Sequence, residues 1–179
     1  MALTSSNVRV AVSGGAYHAP LGTVLPTSAE EALDAALSEV GYISEDGLTQ
    51  AIEADLEDIR AWQNGDIVRK VQTSHDLTYQ FSMLETTADT LSVYYGADLV
   101  DGELKINGEQ LPHKVWVFDV LDGENIIRVV LPDAQVTERG EVTYTNGEAV
   151  AYEVTITAYP DATGTKAYMY VENTDSSES

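Results

Sequence analysis

The sequence predicts a mainly β domain of sandwich or barrel type carrying one or two short α-helices. Three observations predict it. Val150, Tyr152, Val154, Ile156 and Ala158 alternate with Ala151, Glu153, Thr155, Thr157 and Tyr159, giving one apolar and one mostly polar face. Ile126 to Leu131 is a short apolar run rich in β-branched residues. Asp122-Gly123 and Asn146-Gly147 fall between such runs and supply the positive φ that tight hairpin turns need. Lys114 to Tyr159 therefore reads as an antiparallel meander. Pro132 should end one run and Gly140 break the next, at a bend or bulge between sheets.

From the N-terminus, Val8, Val10 and Val12 alternate with Arg9 and Ala11, a short strand closed by Ser13-Gly14-Gly15. Ala19-Pro20-Leu21-Gly22 reads as a loop. Ser28 and Glu31 have capping-box spacing, and Leu33, Ala36, Leu37 and Val40 follow a helical stripe. The expectation is a helix from about Ala29 to Ser38, ended by Gly41. In Leu48 to Trp62 two patterns compete. Leu48, Ile52, Leu56, Ile59 and Trp62 fit a helical stripe, while Leu48, Gln50, Ile52, Ala54 and Leu56 fit a strand face less cleanly. Leu77, Tyr79, Phe81 and Met83 alternate as a strand. Thr86 is placed to cap a helix with Asp89 in its first turn, Leu91, Tyr94 and Tyr95 on one face, and Gly96 at its end. Strands are expected around Glu103 to Ile106 and Lys114 to Leu121, and a last one through Ala167, Met169 and Val171. Residues 173–179, polar and acidic, read as a mobile tail.

The chain has 179 residues, enough for one sizeable core. It has no cysteine, so disulfides, thiolate nucleophiles and Cys-ligated metals are excluded. No secretory signal is legible at the start, and no apolar run approaches a membrane span. Thirty acidic residues against nine basic ones give a formal charge of −21. Such a surface disfavours a grip on nucleic-acid phosphates or anionic lipid. Solubility alone accounts for it; the sharper reading is a surface past which DNA slides without sticking.

No catalytic, cofactor or metal site emerges. Ser74-His75-Asp76 fails as a triad, because strand neighbours point to opposite faces. His18, His75 and His113 lack metal-ligand spacing, and Glu53 to Asp58 lacks the glycine and order of a calcium loop. Ser13-Gly14-Gly15 lacks the lysine of a P-loop. Ten tyrosines suit cores and interfaces, with a sugar-binding face as the alternative use.

Three segments, in order, carry a family resemblance: GYISEDGLTQAIEADLEDIRAWQNGDIVRKVQT, ETTADTLSVYYG and DVLDGENIIRVVLPDAQVTERGEVTYTNGEAVAYEVTITAYPDATG. The chain resembles, from Asn7 to about Glu172, the major tail tube proteins of siphophages that infect actinobacteria. The resemblance implies a β-sandwich or barrel of the phage tail tube type, forming one domain over residues 1–172. It implies hexameric rings that stack into a hollow tube in the virion and pass double-stranded DNA without binding it. It implies partners in the tape measure protein, tail terminator and distal tail protein, with no enzyme activity, cofactor or membrane. It favours an extended arm at about residues 41–71 that bridges rings, with Ile43, Leu48, Ile52, Leu56, Ile59 and Trp62 as its contact residues. Glu141 and Glu153, on the polar face of the meander strands, are the candidates for an acidic lumen. Against this stand a monomeric β-sandwich module that binds carbohydrate through tyrosines, and a β-sandwich enzyme using a carboxylate pair.

Overall fold

The computed structural model describes residues 5–172, so the acidic tail assigned to 173–179 lies outside the described residues. The strands are β1 (Ser13–Pro20), β2 (Ser38–Glu39), β3 (Thr49–Arg60) and β4 (Ile67–Met83), then β5 (Lys114–Asp122), β6 (Asn125–Arg139), β7 (Tyr152–Ala158) and β8 (Tyr168–Glu172). They form one eight-stranded sheet in the order β2-β1-β5-β6-β7-β4-β3, with β8 on β6, and every pairing is antiparallel. The chain after β2 closes this sheet on itself. Val40 N–H still bonds to Ala16 of β1, and Ser44 N–H then bonds to Ser82 while Leu84 N–H bonds to Tyr42. One stretch thus joins the β1 side to the β4 side, and the sheet rolls into a barrel.

The interior is filled mainly from four strands: Tyr79, Phe81 and Met83 from β4, Trp116 and Phe118 from β5, Val129 and Leu131 from β6, Tyr152, Val154 and Ile156 from β7. The alternation that predicted β4 and β7 is the alternation between inside and outside. The Tyr79–Phe118 and Trp116–Phe118 rings lie 5.2 and 5.9 Å apart, within the range of favourable aromatic contact. Helix α1 (Ala88–Tyr95) packs across the barrel beside the start of β7. Thr87 caps it, accepting from Thr90 N–H, and Gly96 ends it at φ 72. The cap is thus Thr87, one residue after the expected Thr86. The Thr90 hydroxyl donates to Val40, and the Tyr94 ring lies 5.5 Å from Tyr152.

Several sequence expectations change. The helix over 29–38 does not form, although one of its two expected capping bonds does and the other shifts to the preceding residue. Glu31 N–H donates to Ser28 Oγ at 3.2 Å, and the Glu31 carboxylate accepts from Thr27 N–H at 2.6 Å. The Ser28 and Glu31 carbonyls, which a helix would use four residues on, accept instead from Arg128 at 3.2 and 2.6 Å. Arg128 also makes a two-pronged ion pair with Asp119, at 2.6 and 2.8 Å. A loop is thereby pinned over the outer face of β1, β5 and β6, where Ala19, Val115, Val117 and Val130 are buried.

The valines at 8, 10 and 12 are not a strand; they stay exposed while β1 starts at Ser13. Ser13-Gly14-Gly15 is strand rather than turn, because a Cβ at Gly14 would sit 2.5 Å from the Asp119 carbonyl of β5. Pro132 does not end β6. Leu131 faces Trp116 and Ala134 faces Lys114, so Pro132 and Asp133 together oppose Val115 in a bulge. Beyond it β6 changes neighbour from β8 to β7. Residues 103–106 form no strand beyond a single bridge between Val100 and Glu103. Asn146-Gly147 turns an irregular link between β6 and β7 rather than a tight hairpin. Most of the 48–62 stretch is strand β3 (Thr49–Arg60), so the helical stripe there is overturned.

Candidate functional site

β3 and β4 form a hairpin that outruns the barrel. They pair from Thr49↔Gln80 to Arg60↔Ile67, yet β4 meets β7 only between Thr78 and Met83. Beyond Glu53 and Asp76 the two strands form a ribbon with no further strand beside it among the described residues. At about 3.3 Å per residue, the part from Glu53 to its tip projects on the order of 30 Å. Lys166 Nζ donates to the His75 carbonyl and steadies its root. Bulges at Asp55/Leu56 and Ile59/Arg60 increase its twist. At the tip Asn64 and Gly65 take φ 61 and 70, and Ala61 N–H closes the turn on the Asp66 carbonyl at 2.8 Å.

The register sorts the side chains. Ile52, Ala54 and Leu56 share one face with Leu77, His75 and Gln72; Glu53, Asp55 and Glu57 share the other with Asp76, Ser74 and Val71. Exposure reaches 59% at Ile52, 60% at Leu56, 46% at Ile59 and 97% at Trp62. Among the described residues little covers these side chains, which stand amid acids. Sequence reasoning missed Ile67 and Val68, equally bare on the returning strand, because they follow the tip and continue no stripe. Ile43 and Leu48 do not join this group. Ile43 bridges to Met83, and both pack against the core, so residues 41–48 belong to the barrel wall. The ribbon instead extends on β4 past the expected limit at residue 71.

Charge along the ribbon is graded. Its root carries Glu53, Asp55, Glu57 and Asp76, whereas Arg60, Arg69 and Lys70 gather toward the tip. Asp58 reaches Lys70 at 3.3 Å and Arg60 at 3.6 Å, exposed pairs worth little each. Ser74 Oγ donates to Asp55 Oδ2 across the hairpin at 2.9 Å, so it is turned to β3 rather than to His75, and no triad is assembled. Among the described residues no group of three or more His, Asp or Glu is placed to hold a metal.

A cleft of about 740 Å³ opens where residues 41–48 leave β1 to join β4. Glu39, Glu45, Glu85 and Asp119 line it, together with Tyr42, Ile43 and Leu48. Glu85 already accepts from Tyr42 N–H at 2.9 Å. The two lumen candidates lie close together but on different footing. Glu153 is half-buried on β7, on the side facing away from Val154 and Ile156; Glu141 is exposed and lies beyond the end of β6, off the strands. Gly140 joins them, its N–H bonding to the Glu153 carbonyl at 2.9 Å.

The fold has counterparts among solved structures. The chain matches a protein of the sheath–tube complex of an extracellular contractile injection system in its extended state. The TM-score is 0.55 at 10% identity, over 96% of this chain and 100% of that one. It matches one from that system's sheath/tube terminator at 0.54 and 10% identity, over 93% and 99%. It also matches the tube-terminating cap of the anti-feeding prophage at 0.50 and 12% identity, over 96% and 100%. At such identities these likenesses show the fold alone. No curated protein matches. The family model for phage tail tube proteins matches residues 1–179. The chain belongs to the phage tail tube protein family, a structural component of the virion rather than an enzyme.

Proposed function

We propose that this tail tube protein assembles into hexameric rings that stack into a hollow tube, with double-stranded DNA passing through the lumen unbound. The observation that carries the reading is the ribbon. It projects past the barrel with Leu56, Ile59 and Trp62 uncovered, and Ile52 is bare at its root. A two-stranded hairpin alone in water is marginal, so this ribbon needs other copies to bury it. Ring-to-ring bridging supplies that cover. A chain of −21 gives the tube walls a charge that repels phosphate. The expected partners are other copies, the tape measure protein, a tail terminator and a distal tail protein. The sugar-binding alternative loses its surface: of the ten tyrosines only Tyr42 and Tyr144 are exposed, on separate segments. Sedimentation across a concentration series tests the reading. Rings and longer particles should appear as concentration rises or when an initiating tail complex is added. A species that stays monomeric throughout and binds glycans would overturn it.

A further inference from the structure

We infer that the ribbon tip of one copy seats in the acid-lined cleft of a second copy, Trp62 entering as an apolar plug and Arg60, Arg69 and Lys70 meeting the carboxylates. The inference rests on the assembly proposed above and names its contact. Residues 60–70 hold three bases and one acid (+3 − 1 = +2), in a chain of −21. Asp58 offsets part of that through Lys70 and Arg60, and the tip is still the one place where three of the nine Lys and Arg gather within eleven residues. The cleft is its complement. No Lys or Arg lines it; Asp119 is already paired with Arg128 and Glu85 with Tyr42 N–H, so the exposed Glu39 and Glu45, beside Tyr42 and Leu48, are the carboxylates left to meet the bases. About 740 Å³ is ample for an indole and the ends of its neighbours. Between two copies of like net charge, pairing a local positive patch with a local negative one sets orientation.

A chain cannot fill its own cleft. Gly47 and Leu48 of the cleft immediately precede Thr49, the first residue of β3, and the ribbon carries its tip on the order of 30 Å away from that root. The occupant is therefore another copy. Plug and socket are different patches of one chain; unless two copies exchange tips reciprocally, which would close a two-fold dimer and stop the ladder below at two, the contact is heterologous and propagates head to tail. That is the symmetry a ring or a stack of rings requires.

Because the chain has no cysteine, an introduced pair reports on this contact alone. Gln63→Cys marks the tip, and Ser13→Cys marks an exposed position on the cleft wall. In the double variant, oxidation of assembled protein should give a covalent ladder of many copies on a non-reducing gel, whereas either single variant should stop at dimers. A second readout keeps the idea testable if the cysteines disturb assembly. Reversing Arg69→Glu with Lys70→Glu should raise the concentration needed for assembly about tenfold, and adding Glu39→Lys with Glu45→Lys should restore it. Tubes that form without a ladder, or a reversal that the cleft lysines do not rescue, would overturn the plug and socket while leaving the tube reading intact. Failure of the unmodified protein to assemble would overturn both.

Discussion

At the scale of single residues, the barrel spends its few buried charges on holding loops. Arg128 is 6% exposed, and its pKa is raised chiefly by its hydrogen bonds to Asp119. Removing one member of a buried pair leaves an uncompensated charge, so Arg128→Ala should cost about 3–5 kcal/mol in a urea titration. Arg128→Met with Asp119→Leu should recover much of that, since neither charge remains. His18 behaves in the opposite sense. Burial against Trp116, with Lys114 Nζ 3.4 Å away, pushes its pKa down to about 4. The unfolded imidazole takes a proton near pH 6.5, so between 6.5 and 4 the unfolded state binds more protons. Stability should therefore fall as pH drops through that window, by roughly 3 kcal/mol from this group, and level off below it. In His18→Phe the denaturation midpoint should lose that part of its pH dependence.

At the scale of elements, the ribbon is least like the rest of the chain. Its backbone bonds are its own, its side chains are mostly exposed, and among the described residues no further strand flanks it, with Lys166 bonded at its root. Low local stability follows. Amide hydrogen exchange should be fast over residues 53–76 in the free subunit and slow once assembled. Trp62→Ala should leave the unfolding free energy within about 0.5 kcal/mol of the parent, because an exposed side chain contributes little to the fold, while abolishing assembly. Equal protection before and after assembly would make the ribbon a self-sufficient part of the domain. The same element shows what the sequence could and could not reveal. β4 and β7 were legible because each buries one face, so period two is written into Leu77–Met83 and Tyr152–Ala158. β3 buries neither face in the subunit, so no core selects its period; Ile52, Leu56 and Ile59 fit a helix by spacing better than 48–56 fits a strand face, and the family resemblance was what favoured an extended arm. The false helix at 29–38 has a different cause. Its local signals are real, but Arg128, about a hundred residues away in sequence, takes the carbonyls the helix needed. Gly14 misled because a glycine that lets two strands approach looks in sequence like a glycine that turns the chain.

At the scale of the whole molecule, a closed barrel with an uncovered ribbon suits the repeated assembly proposed above, and in that proposal its charge decides what the tube admits. Coulomb repulsion from lumen carboxylates is screened beyond about 8 Å at physiological salt, so it acts on DNA close to the wall. Glu141 and Glu153 are the proposed lining. Changing both to lysine should leave tubes that form but slow DNA ejection, with the defect relieved by added salt. Normal ejection by that variant at low salt would place the two acids elsewhere. The most direct test of a barrel that stacks through its ribbon is electron cryo-microscopy of the assembled protein. Rings around an open channel, with the hairpin of residues 49–83 crossing from one ring into the next, are the expected result. A tube in which each ribbon lies back along its own barrel, or no particle larger than the subunit, would contradict it.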